Sequence, residues 1–125
     1  MRVDYFKICG NQSYFDGIQT ILRHDRTGLS MRKFGNHGLR TKVACENWYI
    51  PPNEWVSKIE WTYGKGGVSS IIITTNTGAI NAAGLKKKDD KDVYYEFDDE
   101  KPFVGFHGYQ DVDAVTQDGK ELIEV

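Results

Sequence analysis

Apolar and polar residues alternate along much of this chain. In EWVSKIEWTYG, Trp55, Ile59, Trp61 and Tyr63 fall on one side and Lys58, Glu60 and Thr62 on the other, a period of two that predicts a half-buried β-strand. The glycines of GKGG, Gly64 to Gly67, permit a tight reversal. The β-branched run VSSIIITTN that follows predicts the partner strand of a hairpin. NTG at Asn76 to Gly78 turns the chain again into AINAA, a third short strand. LKKKDDKD then places seven charged side chains in eight positions. That density predicts a solvated hairpin tip, because the acids lack the alternating oxygen-ligand spacing and internal glycine of a calcium loop.

Downstream, VYYEF, PFVGFHG, VDAVT and ELIEV read as short strands separated by DDEK, YQD and QDGK turns. Upstream, YFDGIQTILRHD admits two readings. Ile18, Ile21 and Leu22 share a helical face. Against a helix, Gly17 and Gly28 bracket the segment, no capping box precedes it, and its neighbours are aromatic and β-branched, so a strand is the preferred reading. GLSMRKF predicts another strand, ending at GNHG. About ten to twelve short strands with almost no helix indicate an all-β sandwich, barrel or prism.

Composition narrows the class. The 125 residues suit one domain spanning 1–125. With 39% hydrophobic and 27% charged residues the chain is neither a disordered polymer nor a membrane-embedded one, and no run approaches the roughly 18 apolar residues of a span. Sixteen basic and eighteen acidic side chains leave a net charge of −2, so nothing calls for nucleic acid or an anionic membrane as partner. Cys9 and Cys45 stand 36 positions apart with no second pair and no histidine at finger spacing. They read as buried thiols, encoding neither a disulfide framework nor a zinc site, and no cofactor is expected. MRVDYFKICGNQ carries Asp4 and only a short apolar stretch, unlike a secretory leader, which leads to the expectation of a cytoplasmic or already processed chain.

The ordered set FDGI (Phe15 to Ile18), GNHG (Gly35 to Gly38), EWVSKIEWTYG, IIITTNTG, PFVGFHG and VDAV resembles the jacalin-related lectin domain over residues 10–125. No single segment is specific; the order is. The resemblance implies a β-prism of three four-stranded Greek-key sheets around a pseudo-threefold axis, their inner faces filling one core. The residues agree with that arrangement, since Trp61, Ile71, Ile73, Val104 and Phe106 are the side chains a shared interior needs.

Sugars are uncharged and covered in hydroxyls, so proteins hold them with a carboxylate accepting from neighbouring hydroxyls, backbone N–H groups and often an aromatic ring. The resemblance implies a main site in the loop before the closing strand, where a GxxxD pattern supplies amides and the aspartate, joined by a glycine-rich loop near the N-terminus. Here that stretch is Gly108, Tyr109, Gln110, Asp111, Val112, Asp113. Aligning VDAV with the family's closing motif makes Asp113 the sugar-binding carboxylate. It stands five positions after Gly108 rather than four, Asp111 stands three after it, and the turn is about two residues shorter than the family's. Tyr109 could stack or donate its hydroxyl. An aspartate that bonds its own backbone is the alternative role for Asp113. Near the N-terminus, CGNQSYFDG offers Gly10 and the amides of Asn11 or Gln12.

Catalytic constellations are not evident. His24, His37 and His107 are scattered with no GxSxG among them, and Asp111 and Asp113 lie on one turn instead of flanking a substrate. Two functions remain. One is a non-catalytic, metal-independent lectin for mannose- or galactose-type sugars, whose weak single-sugar affinity would call for several copies by homo-oligomerisation or a multivalent glycan. The other is a structural or protein-binding subunit of a larger assembly with a decayed sugar site.

Overall fold

The computed structural model describes residues 2–24, the backbone of 30–34, and 44–103. It contains eight strands and no helix among these residues: β1 (Arg2–Gly10), β2 (Phe15–Arg23), β3 (Ser30–Phe34), β4 (Cys45–Tyr49), β5 (Val56–Gly64), β6 (Gly67–Thr75), β7 (Ile80–Gly84) and β8 (Lys91–Glu96). They form two antiparallel four-stranded sheets, ordered β3-β2-β1-β4 and β7-β6-β5-β8. The chain is all-β, as expected. VDAVT, ELIEV and most of PFVGFHG, the segments from which a third sheet of the expected prism would have to come, lie outside the described residues, as do GNHG, Val104 and Phe106.

YFDGIQTILRHD resolves in favour of the strand. Ile18 pairs with Ile8 and Leu22 with Val3, and Ile18, Ile21 and Leu22 are all buried. The two sheets pack face to face through one hydrophobic cluster that includes Phe6, Ile8 and Leu22 from the first and Ile59, Ile71 and Ile73 from the second. Phe6, Ile59, Ile71 and Ile73 have no exposed surface at all, so each contributes about 1.5–3 kcal/mol of burial free energy. Phe103 caps this core, its ring 5.9 Å from that of Phe6 and edge-on to Phe97 at 5.4 Å.

The β5–β6 hairpin forms where expected, with Gly64 opposite Gly67. Its alternation departs from strict period two in two places. A register shift between Val56 and Lys58 turns Val56 into the core and leaves Trp55 only half-buried. A second shift lies between Thr62 and Tyr63, and Thr62, expected to face water, is buried. It is tolerated there because its hydroxyl meets those of Ser69 at 2.7 Å and Ser70 at 2.5 Å. The first bulge adds Ser57 to β5 and so flips that strand's inside-outside phase toward Val56, whereas the second adds Ser69 to β6 and shifts the phase of β6.

β1 and β4 have no counterpart in the sequence reading. A register shift between Val3 and Tyr5 breaks the alternation of β1, whose buried positions are Val3, Phe6, Ile8 and Cys9. β4 carries little buried surface of its own. Cys9 sits opposite Cys45 in the β1–β4 register, and the two form a disulfide. The expectation of two separate buried thiols is therefore corrected. A separation of 36 residues says nothing of which strands will lie side by side, and it is the pairing of β1 with β4 that brings the sulfurs together.

Candidate functional site

Of the residues singled out for sugar binding, Gly10 ends β1 and Asn11 begins the link from β1 to β2. Gly108, Tyr109, Gln110, Asp111 and Asp113 lie outside the described residues. The Gly10–Tyr14 link is tightly built. Gly10 has φ +132° and donates its N–H to Ala44 O at 3.1 Å; a Cβ there would collide with the Tyr14 carbonyl oxygen, so only glycine fits. The Asn11 N–H donates to Tyr14 O at 2.9 Å. The Asn11 Oδ1 accepts from the N–H groups of Ser13 and Tyr14 at 2.7 and 3.1 Å, the side-chain turn that asparagine forms with its own backbone. The disulfide at Cys9 pins the preceding residue. Asn11, Gln12 and Ser13 are all exposed at the tip.

A second loop meets this one. The Gly84 N–H donates to the Asn11 carbonyl at 2.8 Å, and the Leu85 N–H donates to Ser69 O at 3.1 Å. The end of β7 is thereby bound to the tip of the first sheet, and the charged turn follows directly from that end. Lys86, Lys87, Lys88 and Asp89 are exposed, as a solvated tip requires, with Lys86 paired to Asp92 at 2.6 Å. Asp90 is different. Its Oδ2 accepts from the Ser69 hydroxyl at 2.5 Å and the Lys87 N–H at 2.8 Å, and Ser69 continues through Thr62 to Ser70. The Ser69 hydrogen bond foremost, then the Lys87 amide and the nearby Lys87 and Lys86 charges, hold the Asp90 carboxyl below its ordinary range. Sequence reasoning treated this acid as one more solvated charge. The only hint was a carboxylate three positions after a lysine in a short turn, which many solvated turns share.

This rim offers hydrogen-bonding groups on a fixed backbone, the chemistry that hydroxyl-rich ligands need. It is not an enclosed pocket. A cavity lined by Arg2, Val3, Ile50, Glu54, Trp55 and Phe103 measures about 10 Å³, room for a water and far too small for a sugar ring. Exposed aromatic rings lie on the strands instead. Tyr94 is 61% exposed, with the Lys58 ammonium 5.2 Å from its ring centre, and Tyr95 stacks on Trp61 at 5.5 Å. NTG proves to be a clasp: the Trp55 N–H donates to Asn76 Oδ1 at 2.9 Å, and Glu54 accepts from Thr75 at 3.1 Å and from Thr77. Among the described residues, no group of three or more His, Cys, Asp or Glu is placed to hold a metal ion. His24 directly follows β2, and His37 and His107 fall outside the described residues.

The family model for the jacalin-like lectin domain matches residues 2–119. No curated protein matches the chain. Among solved structures, the chain is similar to the crystal structure of a prostate-specific WGA16 glycoprotein lectin, form II, at 16% identity and a TM-score of 0.55. That likeness covers 77% of this chain but only 62% of the other, so the chain spans less than two thirds of that lectin's length. At such identity the likeness speaks to the fold.

Proposed function

Because the chain belongs to the jacalin-like lectin domain family, we propose that it is a non-catalytic carbohydrate-binding domain. It takes a terminal mannose- or galactose-type sugar at the Gly108–Asp113 turn without a metal ion. In this reading the Asp113 carboxylate accepts from two neighbouring sugar hydroxyls, Asp111 and Gln110 extend the polar rim, and Tyr109 lies against the ring's apolar face. The match over residues 2–119 carries the proposal. The bonded corner of Gly10, Asn11 and Gly84 supports it, as a backbone already fixed before any ligand arrives. One monosaccharide contributes about 4–5 kcal/mol, a dissociation constant near millimolar, so useful avidity comes from several copies or a multivalent glycan. The chain acts as one domain over 1–125. The Cys9–Cys45 disulfide favours an oxidising compartment over the reducing cytoplasm.

Calorimetry of the purified chain against mannose, galactose and their oligosaccharides tests the reading. Millimolar binding that Asp113→Ala abolishes while the fold is kept supports it; no binding to any glycan at millimolar concentration removes it. A second reading, a protein-binding subunit, is favoured by one observation: the Asn11 oxygen and the Gly10 amide are already engaged within the protein, which leaves the N-terminal loop fewer groups for a sugar. Co-purification with a stoichiometric protein partner, together with silence in calorimetry, selects it.

A further inference from the structure

Asn11-Gln12-Ser13 is the one Asn-x-Ser/Thr triplet with a non-proline centre in the 125 residues, and the structure puts it on an exposed tip. We propose that Asn11 is an acceptor for an N-linked oligosaccharide. The triplet alone is a weak signal, since it recurs by chance; three features of the fold turn it into a site. All three residues are exposed, so a bulky, hydrated glycan stays in water after folding and displaces nothing from the core. In the finished fold the Asn11 Oδ1 is bound by the Ser13 and Tyr14 amides while its nitrogen, the atom that carries the glycan, has no protein partner among the described residues, so the loop accommodates the modified side chain without losing a bond. The disulfide at Cys9, two positions earlier, needs an oxidising compartment, and lipid-linked oligosaccharide donors serve the same lumen.

The transfer balances simply. Asn11 Nδ2 attacks the anomeric carbon of an oligosaccharide carried on a polyprenyl diphosphate. A nitrogen–carbon bond forms, the carbon–oxygen bond to the diphosphate breaks, the diphosphate leaves with that electron pair, and Nδ2 gives up one proton. Nothing is oxidised or reduced. The Ser13 hydroxyl is the group the transferring enzyme reads two positions on, and a threonine hydroxyl serves that purpose too. This assignment does not depend on sugar binding at Asp113. It gives Asn11 a covalent sugar where a non-covalent contact was expected.

The full chain, translated behind a cleavable secretory leader into glycosylation-competent microsomes, tests the assignment by intact mass before and after peptide N-glycosidase. The expected result is a mass increment that the glycosidase removes, leaving position 11 deamidated. The increment disappears in Asn11→Gln and Ser13→Ala and persists in Ser13→Thr. An unmodified wild-type chain, or an increment that survives Asn11→Gln, overturns the proposal. Acceptance precedes complete folding, so a variant that folds poorly still reports on it.

Discussion

Reducing the Cys9–Cys45 bond should weaken the fold by a predictable amount. The bond closes a loop across a separation of 36 residues. The chain-entropy relation for such a loop gives about 4 kcal/mol at 25 °C, a large share of the roughly 5–15 kcal/mol that holds a domain of this size together. With a urea dependence of about 2 kcal/mol per molar, the unfolding midpoint falls by about 2 M. Tryptophan fluorescence can follow the transition, since Trp48 packs by Phe6, 6.2 Å between rings, and Trp61 is buried. The loss should appear first in β4, whose side chains are mostly exposed and which pairs with β1 from Cys9–Cys45 to Tyr5–Tyr49; hydrogen exchange there should rise before it rises in β5 and β6. A double Cys9→Ala, Cys45→Ala variant should match the reduced protein to within about 1 kcal/mol, the extra cost of removing a fully buried sulfur. A midpoint unmoved by reductant, or two titratable thiols in the unreduced, denatured chain, would refute the reasoning.

Three further outcomes are expected. Ile71→Ala, at a position with no exposed surface, should cost about 2–5 kcal/mol in urea unfolding, whereas Ile80→Ala, 64% exposed, should change stability by no more than about 0.5 kcal/mol. Gly84→Ala should destabilise by about 1–3 kcal/mol, because φ is +84° and the new Cβ would strike the Ser69 carbonyl oxygen; a wild-type midpoint would be the contrary result. Asp90 binds its proton less readily in the fold than in the unfolded chain, so its contribution to stability is complete above the ordinary aspartate pKa and is lost as pH falls through the lower folded value. A carboxyl NMR titration should find the Asp90 midpoint below that of free aspartate and see it rise in Ser69→Ala; a midpoint indifferent to that substitution would show that the hydroxyl does not hold it down.

What the sequence disclosed follows from the range over which each feature is determined. The β5–β6 hairpin was legible because its alternation and its GKGG turn are local, and β2 because glycines and β-branched neighbours outweighed a coincidental helical face. β1 escaped because a bulge after Val3 breaks its period, and β4 because a strand that buries little shows no pattern. The disulfide escaped for a related reason, as only the completed sheet brings Cys9 to Cys45. In the candidate site, Gly10 and Asn11 were named only as possible contributors from an N-terminal loop, because the capture of the Asn11 oxygen by Ser13 and Tyr14, and the role of Asp90, depend on hydrogen bonds that residue types alone do not specify.

The hydrogen bond from Gly84 to the Asn11 carbonyl has a bearing on redesign. Two segments more than seventy positions apart in the chain share one hinge point, so exchanging the lysine-rich turn for a longer or differently shaped one would tug the opposing tip along with it. Anyone grafting new ligand preference onto this scaffold should transplant both pieces together, as a single corner.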